Sequence, residues 1–131
     1  MATSEAGVQQ QTRLLHCQLT GGQIWRNNSG AMTGETGRVV RYGLGNDSAQ
    51  LNKVIKSSDL IGITPVRIEP HMVGYFLGVF TAYECKPPGW KLLPSDTRGL
   101  AQQRFLSIVK ESCGFAGFVT NPIDIHGIIG R

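Results

Sequence analysis

At 131 residues the chain has the length of one domain, and 17% charged residues with 17 glycines indicate a compact, turn-rich mixed fold rather than disorder. Thirteen Lys and Arg against nine Asp and Glu leave a net charge of +4 and a pI near 9.2, which suits a polyanionic partner without requiring one. Three scattered cysteines (Cys17, Cys85, Cys113) and three isolated histidines argue against a disulfide framework or a zinc site, and no apolar stretch is long enough to span a bilayer.

The opening residues Met1-Ala2-Thr3-Ser4-Glu5 lack the basic-then-apolar pattern of a secretory signal, so a soluble, intracellular protein is expected. A helix is predicted over Ser4 to Leu19, capped by Thr3 or Ser4, with Val8, Leu15 and Leu19 and either Ala6 or Leu14 as its apolar stripe. Thr20-Gly21-Gly22 stops it. Gln23 to Arg26 reads as a short strand, ended by the turn cluster Asn27-Asn28-Ser29-Gly30. Arg26, Asn27 and Asn28 serve either turn chemistry or, as donors, a phosphate backbone.

Ala31 to Gly37 reads as a glycine-rich loop, and Arg38 to Gly43 alternates like an exposed hairpin strand. Leu44 to Ser58 is a loop with a short helical turn; its lysines Lys53 and Lys56 are either solvated or part of a DNA-contacting flap. Asp59 stands at the mouth of a buried strand, Leu60-Ile61-Gly62-Ile63, and Thr64 to His71 is a connection bracketed by Pro65 and Pro70.

A long buried strand is predicted from Val73 through Cys85-Lys86, stopped by Pro87-Pro88-Gly89. Residues two apart on a strand share a face, so Glu84 and Lys86 project side by side, a charged pair at the end of a core strand. Together with Asp59 they have the chemistry that metal-dependent phosphodiester cleavage needs: carboxylates for a hard divalent cation and a lysine to steer or deprotonate water. Trp90 and Lys91 then either contact a partner or pack on the sheet.

The clearest helix runs from Thr97 to Ser112, capped by Asp96 or Thr97, with Leu100, Ala101, Phe105, Ile108 and Val109 at helical spacing. Cys113-Gly114 ends it, a buried strand follows over Phe115 to Thr120, and Asn121-Pro122 opens a terminal helical turn with Ile123, Ile125, Ile128 and Ile129. These isoleucines either complete the core or form a two-fold interface. The order of elements describes an α/β sandwich around a small mixed sheet.

Ser58-Asp59-Leu60-Ile61-Gly62, Tyr83-Glu84-Cys85-Lys86, and Gln102-Gln103-Arg104-Phe105-Leu106 leading to Gly114-Phe115-Ala116-Gly117 resemble the virus-type replication–repair nuclease domain (VRR-NUC) of the PD-(D/E)XK superfamily. Glu5-Ala6-Gly7-Val8-Gln9 and Trp25 to Gly30 are similar to that family's first helix and strand, so the likeness covers nearly the whole of residues 1–131 as a single nuclease domain. The resemblance implies a restriction-endonuclease-like core, a small mixed β-sheet flanked by helices. It implies Asp59 and Glu84 as Mg²⁺ or Mn²⁺ ligands, with the main-chain carbonyl of Cys85 as a third and its side chain a buried bystander. Ser58 stands where the family often has proline. Lys86 is implied as the lysine of Glu-x-Lys, Gln102 (or its neighbour Gln103) as a helix glutamine near the metal water, and Glu5 as completing the site. A glutamate in a first helical turn is also favoured by the helix dipole alone.

The resemblance further implies a DNA endonuclease selective for four-way or other branched DNA. It would act as a homodimer in replication, recombination or repair, in the cytoplasm of a bacterial cell or phage-infected host, with no membrane association. The alternative is a non-catalytic nucleic-acid-binding module that keeps the fold. Binding-only descendants commonly lose a ligand or the lysine, whereas Asp59, Glu84, Lys86 and Gln102 all stand in this chain.

Overall fold

The computed structural model describes residues 4–131, so Thr3, one of the two candidate caps of the first helix, lies outside the described residues. The chain is mixed α/β and divides into two compact units, residues 1–62 and 63–131. No helix among the described residues is long and apolar enough to cross a membrane.

In the first unit, α1 (Glu5–Thr20) is capped by Ser4, whose side chain accepts from the Gly7 N–H. It ends where Gly21 takes a left-handed φ of 69° and returns its N–H to the Cys17 carbonyl. No residue of α1 is buried: Val8, Leu14, Leu15 and Leu19 are all more than half exposed, so the expected apolar stripe does not face a core. The strand β1 (Gln23–Arg26) pairs with β4 (Leu60–Ile63). Asn27 N–H donates to the Asp59 carbonyl at one end, and Gln23 lies against Gly62 at the other, so the two run antiparallel. A side chain on Gly62 would meet the Gln23 carbonyl, which is why the motif ends in glycine.

The segment read as a loop from Ala31 contains a strand. β2 (Gly30–Thr33) pairs antiparallel with β3 (Val39–Tyr42) around a tight turn, in which Gly37 N–H donates to Gly34 O and Gly37 has φ 78°. Gly30-Ala31-Met32-Thr33 shows no alternation of apolar and polar residues, so its pairing comes from the turn and not from a buried face. The short helix α2 (Ala49–Val54) is capped by Ser48, which accepts from Leu51 N–H.

In the second unit the long strand expected from Val73 is short. β5 covers only Thr81–Cys85, and Val73 to Phe80 is irregular. Gly74 adopts φ 92°, and Tyr75 N–H turns back onto Met72 O of a 3₁₀ turn (Pro70–Met72). Val73, Tyr75 and Phe76 are consequently exposed, Phe76 completely. The strand β5 pairs in parallel with β6 (Phe115–Val119), and α3 (Thr97–Glu111) makes the crossover. Asp96 caps α3 by accepting from Gly99 N–H at 2.8 Å.

The face that α3 buries is Gly99, Leu106 and Val109, with half-buried Gln102 between them; Ala101, Phe105 and Ile108 of the predicted stripe are exposed. Val109 is fully buried and Leu106 nearly so, each contributing about 1.5–3 kcal/mol by burial. After a 3₁₀ turn (Pro122–Asp124), α4 (Ile125–Ile129) packs on β6, where Ile128 lies over Gly117.

Candidate functional site

β5 presents its side chains alternately. Ala82 and Glu84, with Lys86 just past the strand end, are half-buried, while Thr81, Tyr83 and Cys85 face solvent. The Cys85 side chain is therefore exposed, and the expectation of a buried bystander is corrected: it lies on the face opposite Glu84. Main-chain direction follows from the ladder. Phe115 N–H donates to Phe80 O and Lys86 N–H to Val119 O, both at 2.9 Å, so even-numbered residues here turn their polar groups toward β6. The Cys85 carbonyl between them points to the other edge of β5.

The core-facing phase of α3 brings Gln102 onto Glu84: its Nε2 donates to Glu84 Oε1 at 2.8 Å. Gln103, one residue on, is exposed. The other end of the Gln102 amide, Oε1, is buried and has no hydrogen-bond partner. An acceptor left in that state costs about 1–3 kcal/mol. Lys86 Nζ stands 3.9 Å from Glu84 Oε1 and 5.1 Å above the ring of Trp90. Trp90 packs on Phe118 of β6, with ring centroids 4.7 Å apart, so of its two expected roles it takes packing on the sheet. The ammonium is thus flanked by a carboxylate and a ring face, and its side chain is only 15% exposed.

Between β5 and α3 a cleft of about 340 Å³ opens beside Glu84 and Gln102. Arg98 lines it too. Sequence reading passed over this arginine, although its place four residues before Gln102, just inside the Asp96 cap, sets both on one helix face. It adds a cation to a wall otherwise formed largely by Ala82, Ala101, Phe105 and Leu106.

Glu84 carboxylate, the unpartnered Gln102 Oε1 and the outward Cys85 carbonyl are all oxygen donors, the set that suits a hard cation such as Mg²⁺ or Mn²⁺ and not a soft one. Among the described residues no three His, Cys, Asp or Glu side chains gather as a metal-ligating group.

The remaining sequence-predicted residues lie in the first unit. Asp59 is exposed just before β4, and its carbonyl holds the Asn27 N–H at 2.8 Å. The Asn27 side chain donates to Ser58 O at 2.8 Å, so it ties the turn after β1 to the segment entering β4. Arg26 and Asn28 are exposed on either side of it. Glu5 is exposed in the first turn of α1. Lys53 is exposed in the last turn of α2, and Lys56 Nζ folds back onto Asn52 O at 3.0 Å and Oδ1 at 2.6 Å.

Asp124 lies past the end of β6, in the 3₁₀ turn Pro122–Asp124. The N–H groups of Thr120, then of Asn121, and the Thr120 hydroxyl all donate to Asp124, holding its carboxyl below the ordinary 3.8. Comparison with models of known families, with curated proteins and with solved structures finds no match.

Proposed function

We propose that the protein is a metal-dependent DNA endonuclease of the virus-type replication–repair kind, with a restriction-endonuclease-like core. The observation that supports this reading best is the Glu84–Gln102 hydrogen bond on the wall of a cleft, with Lys86 Nζ 3.9 Å from Glu84 and Gln102 Oε1 buried without a partner. A divalent Mg²⁺ or Mn²⁺ ion would be held by Glu84 and the Cys85 carbonyl, with Gln102 Oε1 as a further acceptor. Such an ion, when bound, lowers the pKa of water and offsets the charge that develops at phosphorus. The assignment of Asp59 and Glu5 as further ligands is supported by the sequence resemblance.

The chain's own groups account for the rest. Glu84 supplies the negative charge, and Gln102 fixes its carboxylate through the amide N–H. Lys86 offers a positively charged donor to the attacking water and to the phosphate oxygens, held in place by the Trp90 ring. Arg98 on the cleft wall binds a second phosphate oxygen and orients the scissile group.

One such site cuts one strand. A homodimer acting on a four-way junction in the bacterial or phage-infected cytoplasm therefore completes the proposal, and Ile123, 67% exposed beside the α4 face, is available to an interface. The testing experiment is a cleavage panel of linear, flapped and four-way DNA with and without Mg²⁺ or Mn²⁺, alongside light scattering. Metal-dependent symmetric nicks in the junction by a dimer support the reading. Equal rates on junction and linear DNA by a monomer overturn its junction and dimer parts, and absence of any cutting overturns the whole.

A further inference from the structure

A second cleft, of about 300 Å³, lies wholly within the first unit and is lined by Ser29, Arg41, Asn46, Asn52, Lys56 and Ser57. Its wall holds two cationic side chains and no acidic one. Both cations are positioned by neutral acceptors. Arg41 Nη1 donates to Asn46 Oδ1 at 3.1 Å, and Lys56 Nζ donates to Asn52. Neither forms an ion pair with a carboxylate among the described residues.

Asn46 is the buttress of this arrangement. It is only 3% exposed, and its Nδ2 donates to the carbonyls of Gly30 and Tyr42 at 2.7 and 2.9 Å, bracing it across the β2–β3 hairpin. With both amide hydrogens so engaged, Oδ1 has a fixed direction and so does the guanidinium it receives. Most of the five guanidinium N–H donors of Arg41 stay available, and the Ser29 and Ser57 hydroxyls add two more donors to the wall. Two fixed positive charges without a counter-charge, together with hydroxyl donors in a concave wall, are the recognition chemistry of a tetrahedral oxyanion.

We infer that this cleft binds a phosphate group, and specifically a backbone phosphate of nucleic acid. The nuclease proposal supplies only the identity of the polymer; the cleft itself stands on its own residues. A phosphate held here anchors and orients the strand without reading sequence.

Two variants, Arg41→Gln and Lys56→Gln, test this by fluorescence anisotropy with a short DNA duplex in EDTA, across a series of salt concentrations. Each is expected to weaken binding roughly three- to tenfold and to reduce the slope of log K against log salt by about one. Inorganic phosphate, titrated alone and followed by amide NMR, is expected to shift residues around Ser29, Arg41 and Ser57 in the wild type. Lys110→Gln, which removes one exposed cation from the last turn of α3, serves as the reference and binds like wild type. EDTA holds cleavage off during the binding measurement, so the two readings separate: a protein that binds DNA through Arg41 and Lys56 in EDTA yet cuts nothing when excess Mg²⁺ or Mn²⁺ is restored refutes the nuclease and leaves this inference standing. Variants that bind DNA like wild type overturn it, as does a wild type that takes up inorganic phosphate and no DNA.

Discussion

Gln102 reaches across from α3 to donate to Glu84 Oε1 on β5 at 2.8 Å, joining residues 18 apart in sequence, while its own Oε1 stays buried without a partner. A folding core gains nothing from that second half of the amide. A site that needs one more oxygen does.

Replacing Gln102 by leucine therefore separates the two roles. Loss of the unpartnered acceptor makes Gln102→Leu equal to or more stable than wild type, because Glu84 is exposed enough to recover a water. Cleavage falls about 10–100-fold, as for loss of a group that orients a ligand. Thermal melts and single-turnover assays on the same preparation measure both. A lower melting temperature with full activity would make Gln102 merely structural.

Cys85→Ala keeps most of the activity. Its thiol faces solvent on the side of β5 away from Glu84, and the proposed ligand is the main-chain carbonyl, which alanine retains. Alkylating the thiol of the wild type is similarly harmless on this account. Loss of metal binding in Cys85→Ala, with the fold intact by circular dichroism, would point to a thiolate ligand and a softer metal.

Cys113 has a left-handed φ of 72°, the one such non-glycine residue among those described, where α3 turns into β6. Gly114 beside it cannot be exchanged for alanine easily, since a Cβ there would meet Val109 Cγ1 at 2.7 Å and the Phe80 carbonyl at 2.8 Å. Cys113→Gly relieves the strain and is expected to stabilise the protein by about 0.5–1 kcal/mol, with activity unchanged, in denaturant unfolding. Destabilisation would mean that the cysteine side chain contributes more by contact than its backbone costs.

Asp124 links stability to acidity. Its folded carboxyl titrates below its ordinary 3.8, so its contribution is complete above 3.8 and is lost as pH falls through the folded value. Asp124→Ala removes the acceptor that ties Thr120 and Asn121 to the terminal turn. Wild type melts above the variant at neutral pH, and the gap closes as pH falls through and below 3.8. A gap that stays constant down to that acidity would exclude the carboxylate as its source.

The placing of Glu84 beside Lys86 was legible because both lie on or at the end of a regular strand. The alternation at Tyr83 to Lys86 placed Glu84 and Lys86 on one face, whereas the choice between Gln102 and Gln103 came from the resemblance, because Ala101, Phe105 and Ile108 of the predicted apolar stripe are exposed and do not mark the buried face of α3. Helix ends were readable from Ser4, Asp96 and Gly21, whose side chains or φ freedom satisfy terminal groups locally. The failures had a different origin. Val73 to Phe80 has the composition of a buried strand, but Gly74 at positive φ and the 3₁₀ turn before it divert the chain. The strand at Gly30–Thr33 carries no alternation to betray it. The Arg41–Asn46 brace became visible only through a contact across elements, which spacing along one element does not reveal.

The central claim is most directly tested at Glu84. With Mg²⁺ or Mn²⁺ present, wild type is expected to cleave four-way DNA, and Glu84→Gln, which keeps the shape and loses the charge, is expected to give no detectable product while binding the DNA within a few-fold of wild type. A Glu84→Gln protein that cuts at the wild-type rate would contradict the account.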